Sequence, residues 1–163
     1  MDKNSWGTPI NFLHSARSAM GSIDLDPATS EQANENVMAT NYFTADDNGL
    51  NQHWQAQNVW LNPPYSKDLI GKFMHKLVNH YVNGYIEQAI VLTNASQDTQ
   101  WFNDTLALHA TAYCFPSKRI QFIPPQGIKA SSNSRGQVFT YLGDDPTAFI
   151  TEFKQYGMMV IPA

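Results

Sequence analysis

The chain has 163 residues, a formal net charge of −4 and 42% hydrophobic residues. That length predicts a single domain over residues 1–163 with a core of its own. The charge excludes coating of nucleic acid by bulk electrostatics but permits a local basic patch, and Lys118, Arg119, Lys129 and Arg135 are its candidates. No apolar run is long enough to cross a bilayer, and the start of the chain lacks the charged-then-apolar pattern of a secretory leader. With Cys114 as the only cysteine, this predicts a cytoplasmic protein without an internal disulfide. No metal is expected either, because His14, His53, His75, His80 and His109 form no short ligand pair with cysteine or glutamate.

Along the chain, Thr8-Pro9 reads as an N-cap and first helical position, opening a helix to about Ala19. Residues 23–26 (Ile-Asp-Leu-Asp) predict a short strand ending at Pro27, Ser30–Met38 a helix, and Asn41–Phe43 an extended segment. A polar turn, Asp46-Asp47-Asn48-Gly49, follows, with the glycine available for a positive φ. Asn58–Leu61 is the next strand. Ser66 is placed to cap a helix whose apolar positions Leu69, Ile70, Phe73, Leu77 and Val78 recur at helical spacing. The unbroken apolar run Ala89–Leu92, inside a strand over Ile86–Thr93, suits a strand buried on both faces of a parallel sheet. Trp101–Leu108 reads as a helix; Thr111–Phe115, Arg119–Ile123 and Gln137–Leu142 read as strands. Asp145-Pro146 starts a helix to about Gln155, and Met158–Ile161 is a last strand. Alternating elements of this kind predict an α/β sandwich, mostly parallel, with antiparallel pairing near the C-terminus. In such a sheet the active crevice lies beyond the carboxyl ends of the strands. Asn62, the Asp24/Asp26 pair and Asp46 all follow predicted strands and therefore converge on that edge.

The strongest chemical signal is Asn62-Pro63-Pro64-Tyr65, directly after Val59-Trp60-Leu61. Two prolines fix φ twice and remove two donors, giving a rigid turn. Such a turn can hold the Asn62 side-chain oxygen and the Pro63 carbonyl as neighbouring acceptors beside the face of Tyr65. That set suits the gripping of a planar amino group while the attached ring stacks on the tyrosine.

At these residues the chain resembles the amino-methyltransferases that use S-adenosylmethionine, whose catalytic motif this is in its Asn-Pro-Pro-Tyr form. More specifically it resembles the small phage-type DNA N6-adenine methyltransferases, in order and over nearly its full length. The matching segments are Trp6-Gly7-Thr8-Pro9, Asp24-Leu25-Asp26-Pro27-Ala28, Gly49-Leu50 with Trp54, and Asn62 to Ser66. They continue through Trp101-Phe102, Arg119-Ile120-Gln121-Phe122 and Arg135-Gly136-Gln137-Val138-Phe139.

The resemblance implies a Rossmann-like methyltransferase sandwich. Residues 26–30 (Asp-Pro-Ala-Thr-Ser) lack the usual glycine-rich loop of the wider class, so either the fold is reduced or one strand is supplied in an unusual order. The resemblance implies S-adenosylmethionine as cofactor, with Thr8, Pro9, Asp24, Asp26, Pro27 and Asp46 as its contacts. One of Asp24 and Asp26 would meet the ribose diol and the other the ammonium, with Asp46 near the cofactor's adenine. It implies DNA as substrate, with the adenine flipped out and Asn62, Pro63, Pro64 and Tyr65 around it. Arg119, Lys129, Asn133 and Arg135, in or near the polar segment 123–135, are the candidate DNA contacts. A homodimer would supply recognition surface that so short a chain lacks. The same tetrapeptide also serves enzymes that methylate a protein glutamine or an RNA adenine. A non-catalytic DNA-binding phage protein on this fold is the remaining alternative.

Overall fold

The computed structural model describes residues 6–163. Within them, seven strands form one sheet: β1 (Leu25–Asp26), β2 (Asn41–Tyr42), β3 (Ala56–Leu61), β4 (Ile86–Asn94), β5 (Ala112–Pro116), β6 (Gln137–Leu142) and β7 (Gly157–Val160). Their spatial order is β2-β1-β3-β4-β6-β5-β7. The first four strands pair in parallel, whereas β6 runs antiparallel to both β4 and β5, and β7 antiparallel to β5. The predicted division, parallel at the start and antiparallel at the end, is what the chain adopts. One consequence positions the site: the carboxyl ends of β1 to β4 and the amino end of β6 share one edge.

The α-helices of the described residues are α1 (Ile10–Met20), α2 (Glu31–Val37), α3 (Leu69–Val82), α4 (Gln100–Asn103), α5 (Leu106–His109) and α6 (Thr147–Phe153). Period-two alternation in the central strands divides the core into two. Trp60, Ile90, Leu92, Phe139 and Tyr141 face α1 and α6, while Val59, Leu61, Ala89, Val91, Val138 and Leu142 face α3 and α5. β6 is buried along its whole length. A sheet apolar on both faces has to be covered on both, so the molecule is a three-layer α/β/α sandwich.

Five local expectations change, one of them at Ser66, which opens a 3₁₀ turn (Ser66–Asp68) and does not cap α3, whose cap position is Asp68 with no side-chain cap bond. Thr8 does not cap α1: the helix opens at Ile10 with Pro9 at the cap position and no side-chain cap bond, because the Thr8 hydroxyl is engaged by Asn62 instead. The positive φ of the 46–49 turn falls on Asn48, at 52°. Gly49 is required for space, since a Cβ there would lie 2.1 Å from the Pro27 carbonyl oxygen. The helix expected over Trp101–Leu108 breaks into α4 and α5 at Thr105, whose backbone (φ −128°, ψ −90°) is not helical and whose hydroxyl bonds back to the Trp101 carbonyl. Finally, Arg119–Ile123 is not a strand. Both edges of β5 are already taken by β6 and β7, so the segment crosses the carboxyl edge and forms only a bridge from Ile123 to Gly7. Its two hydrogen bonds, 2.7 and 2.8 Å, tie the segment preceding α1 to the segment following β5.

Candidate active site

Two cavities open at the carboxyl edge, and Asn62 lines both. The first lies between the turn after β1 and the turn after β2. Its walls include Thr8, Asp26, Pro27, Asn48 and Gly49, with Phe73 of α3 behind them. The second is bounded by Pro63 and Tyr65 on one side, Asn94 and Gln137 at the strand ends, and Asn133 and Arg135 of the polar segment on the other. Trp6 also borders both.

Asn62 is half-buried, and its amide nitrogen donates to Thr8 Oγ1 at 3.2 Å. Thr8 is buried, 5% exposed. Engaging the amide nitrogen on Thr8 turns Oδ1, the acceptor, the other way. Tyr65 is fixed at its far end, where its hydroxyl oxygen accepts the Asn94 backbone N–H at 2.6 Å. Its ring meets Trp101 edge-on at 6.3 Å. Burial pushes the Tyr65 phenol well above its ordinary range, so it stays protonated.

Asp26 is the electrostatic centre of the first cavity. It ends β1, is 2% exposed, and accepts the Ala28 N–H at 3.1 Å. Burial raises its carboxyl to about 7, against the opposing hydrogen bonds from Ala28 and Thr29. A buried carboxylate with so few donors suits a ligand that brings hydroxyl or ammonium groups to it. Opposite, the Gly49 backbone packs on Pro27, and the Gly49 carbonyl is held by Trp54 Nε1 at 2.8 Å.

The structure does not bring every predicted residue to these cavities. Asp24 lines neither among the described residues; both of its oxygens are used inside the sheet, by Ser22 Oγ at 2.7 Å and the Asn58 N–H at 3.0 Å. It belongs to a polar relay that continues from Asn58 to Gln88 (2.7 Å) and from Gln88 to the Tyr141 hydroxyl (2.6 Å). Asp46 is exposed on the rim beside Ala45 and Asp47, and Pro9 sits just behind Thr8 at the start of α1. Arg119 reaches across the edge, its Nη1 3.0 Å from where a Gly136 Cβ would be. Lys129 is exposed beyond the second cavity, whose wall holds Asn133 and Arg135. No group of three or more metal-ligating side chains occurs among the described residues. Sequence reasoning missed Asn94 and the wall formed by Thr44, Ala45 and Asn48. A polar residue closing the apolar run of β4 was the available signal for Asn94.

The model of the family described as "DNA N-6-adenine-methyltransferase (Dam)" matches residues 1–156. The chain belongs to the Dam family. Relatives agree: a DNA N-6-adenine-methyltransferase of Haemophilus phage HP1 is 26% identical over 97% of this chain and 94% of its own length. A DNA N-6-adenine-methyltransferase of Escherichia phage T1 is 31% identical over 63% of this chain, a stretch that covers 40% of that longer protein. Among the described residues no helix is long and apolar enough to cross a membrane.

Proposed function

We propose that the chain transfers a methyl group from S-adenosylmethionine, held in the first cavity, to N6 of an adenine flipped out of DNA into the second. The observation that carries this reading is that Asn62 lines both cavities. A residue that grips the nucleophile has to stand where the two substrates meet. The Dam-family match favours adenine in DNA over a protein amide or RNA.

When bound, the cofactor supplies a sulfonium methyl whose carbon–sulfur electrons return to sulfur as the nitrogen–carbon bond forms. The adenine amine is a weak nucleophile because its lone pair is delocalised into the ring. Asn62 Oδ1 and the Pro63 carbonyl accept its two hydrogens, which localises the lone pair on nitrogen. Neither acceptor is basic, so the proton lost after transfer passes to water. The rest of the catalysis is alignment, in which fixing two partners in attack geometry is worth many orders of magnitude. Tyr65, anchored through its hydroxyl to the end of β4, presents its ring to the base, a contact worth about 1–3 kcal/mol.

Asp26 is assigned to the cofactor's ribose diol or ammonium, while Asp24 supports the sheet. The donors of the ligand require the anion, whereas the free site holds its proton up to about pH 7. Cofactor affinity is therefore fully present above that pH and falls as pH drops through it, approaching tenfold per unit. Binding below pH 7 releases a proton, measurable by calorimetry in buffers of different ionisation enthalpy. The sign for folding is opposite to that of an ordinary surface aspartate. The unfolded carboxyl ionises near 3.8 and the folded one near 7, so the apo protein loses stability as pH rises between these values. Asp26→Asn abolishes that slope in thermal melts while weakening cofactor binding.

Thr8 acts through Asn62. Thr8→Val frees the carboxamide to turn its amide nitrogen toward the amine. The expected result is a drop in kcat of about tenfold with KM for DNA little changed, and recovery in Thr8→Ser. Arg119, Lys129 and Arg135 are assigned to DNA phosphates. Neutralising Lys129 or Arg135 lowers affinity for all sequences alike and reduces the salt slope of binding by about one for each phosphate no longer neutralised.

A further inference from the structure

At the top of the β4–β6 ladder, Asn94 and Gln137 are directly opposed across the antiparallel pair. Their carboxamides make one hydrogen bond, Gln137 Nε2 to Asn94 Oδ1, at 2.9 Å. Gln137 is buried at 8% exposed. In this arrangement Oδ1 is used, and the free end of the Asn94 amide is its Nδ2 donor. That donor has no protein acceptor among the described residues, yet it is not sealed away from solvent. The backbone of Asn94 is held as firmly. Its N–H donates to Tyr65 Oη at 2.6 Å, and the following residue, Ala95, pairs with the Gly136 carbonyl at 2.9 Å. Both carboxamides line the second cavity together with Asn62 and Tyr65.

Resting on the proposed function, we propose that Asn94 Nδ2 reads the ring of the flipped base by donating to the ring nitrogen beside the exocyclic amine, N1 or N7. The cavity then offers acceptors for the amine, from Asn62 and Pro63, and a donor for the adjacent ring nitrogen. That pattern is complementary to adenine. With N1 as the partner, guanine presents the reverse pattern, a carbonyl where the acceptors stand and an N1–H facing the Asn94 donor, so three protein groups and two base groups are left unpaired. Gln137 touches no substrate in this arrangement. It is a positioning residue whose amide keeps Asn94 from presenting its oxygen.

The test compares wild type with Asn94→Asp, which keeps the shape and the bond to Gln137 but lacks the donor. Substrates are DNA duplexes carrying adenine, 1-deazaadenine or 7-deazaadenine at the target position, and cofactor affinity is measured in parallel. Wild type is expected to lose roughly 10–100-fold in kcat/KM on one of the two analogues. Asn94→Asp should show a similar loss on adenine, little further loss on that same analogue, and unchanged cofactor affinity. Gln137→Ala should give a partial loss on adenine and a rise in methylation at non-adenine bases. Equal wild-type rates on all three substrates, or equal analogue penalties in wild type and Asn94→Asp, would overturn the assignment of Asn94 while leaving the proposed function standing. Absence of wild-type methyl transfer to adenine itself would remove both.

Discussion

Asn62→Ala is expected to lower kcat by about 10²–10³-fold, the scale seen when one preorganised polar contact to a reacting group is deleted. The change removes the acceptor that stands between the two cavities and leaves the Thr8 hydroxyl without its 3.2 Å partner. Because the first cavity keeps Asp26, Pro27 and Gly49, cofactor affinity should move by no more than a few-fold, and the loss should lie in kcat. Asn62→Asp supplies the contrast. A carboxylate accepts hydrogen bonds from both the amine and Thr8, so this variant should retain activity within about tenfold of wild type. The two substitutions together separate an acceptor role from mere occupancy of space. Equal inactivity in both would mean that Asn62 acts in some way other than by accepting from the amine.

Gly49→Ala should be the most damaging single methyl in the molecule for the first cavity, the proposed cofactor site. The added Cβ would lie 2.1 Å from the Pro27 carbonyl oxygen and 3.2 Å from its carbon. Both obstacles are backbone, so no side-chain rotation relieves the clash. The turn at 49–51 must move away from the end of β1, carrying the Gly49 carbonyl from Trp54 Nε1 and opening the first cavity. A destabilisation of about 1–3 kcal/mol follows from such overpacking, a fall in melting midpoint of about 2–4 °C per kcal/mol for a chain of this size. Cofactor affinity should fall at least tenfold, since the displaced backbone is cavity wall, while the second cavity stays intact. Thermal melts with and without S-adenosylmethionine distinguish the two effects: the ligand-induced shift should itself shrink, in addition to the fall in the apo midpoint.

The elements that sequence made legible are those whose chemistry is local. The rigid Asn62–Tyr65 turn, the apolar run of β4 and the acidic end of β1 each carry their meaning within a few residues, and strand ends in a parallel sheet converge by topology. What stayed hidden depends on partners far along the chain. Asp24 and Asp26 are two residues apart, about 7 Å along a strand, and only the later one passes the end of β1 into the cavity. Asp24 instead finds Ser22 and the Asn58 N–H, and no local pattern announces that pairing. Thr8 looks like a helix cap because Thr-Pro usually is one, yet its partner is 54 positions away. The bond between Gln137 and Asn94 spans 43 positions, and spacing carries no trace of it. The Arg119–Ile123 segment has strand-like composition, but whether it joins a sheet depends on a vacant edge, and β7 takes the one beside β5.

Transfer to adenine N6 through the Asn62 acceptor can be read directly by mass spectrometry of nucleosides from DNA incubated with the protein and methyl-deuterated S-adenosylmethionine, run beside Asn62→Ala. The site as built predicts labelled N6-methyldeoxyadenosine as the sole new methylated nucleoside with wild type, and its near-disappearance with Asn62→Ala at unchanged cofactor binding. Label on another base, on RNA or protein but not DNA, or undiminished in Asn62→Ala would contradict it.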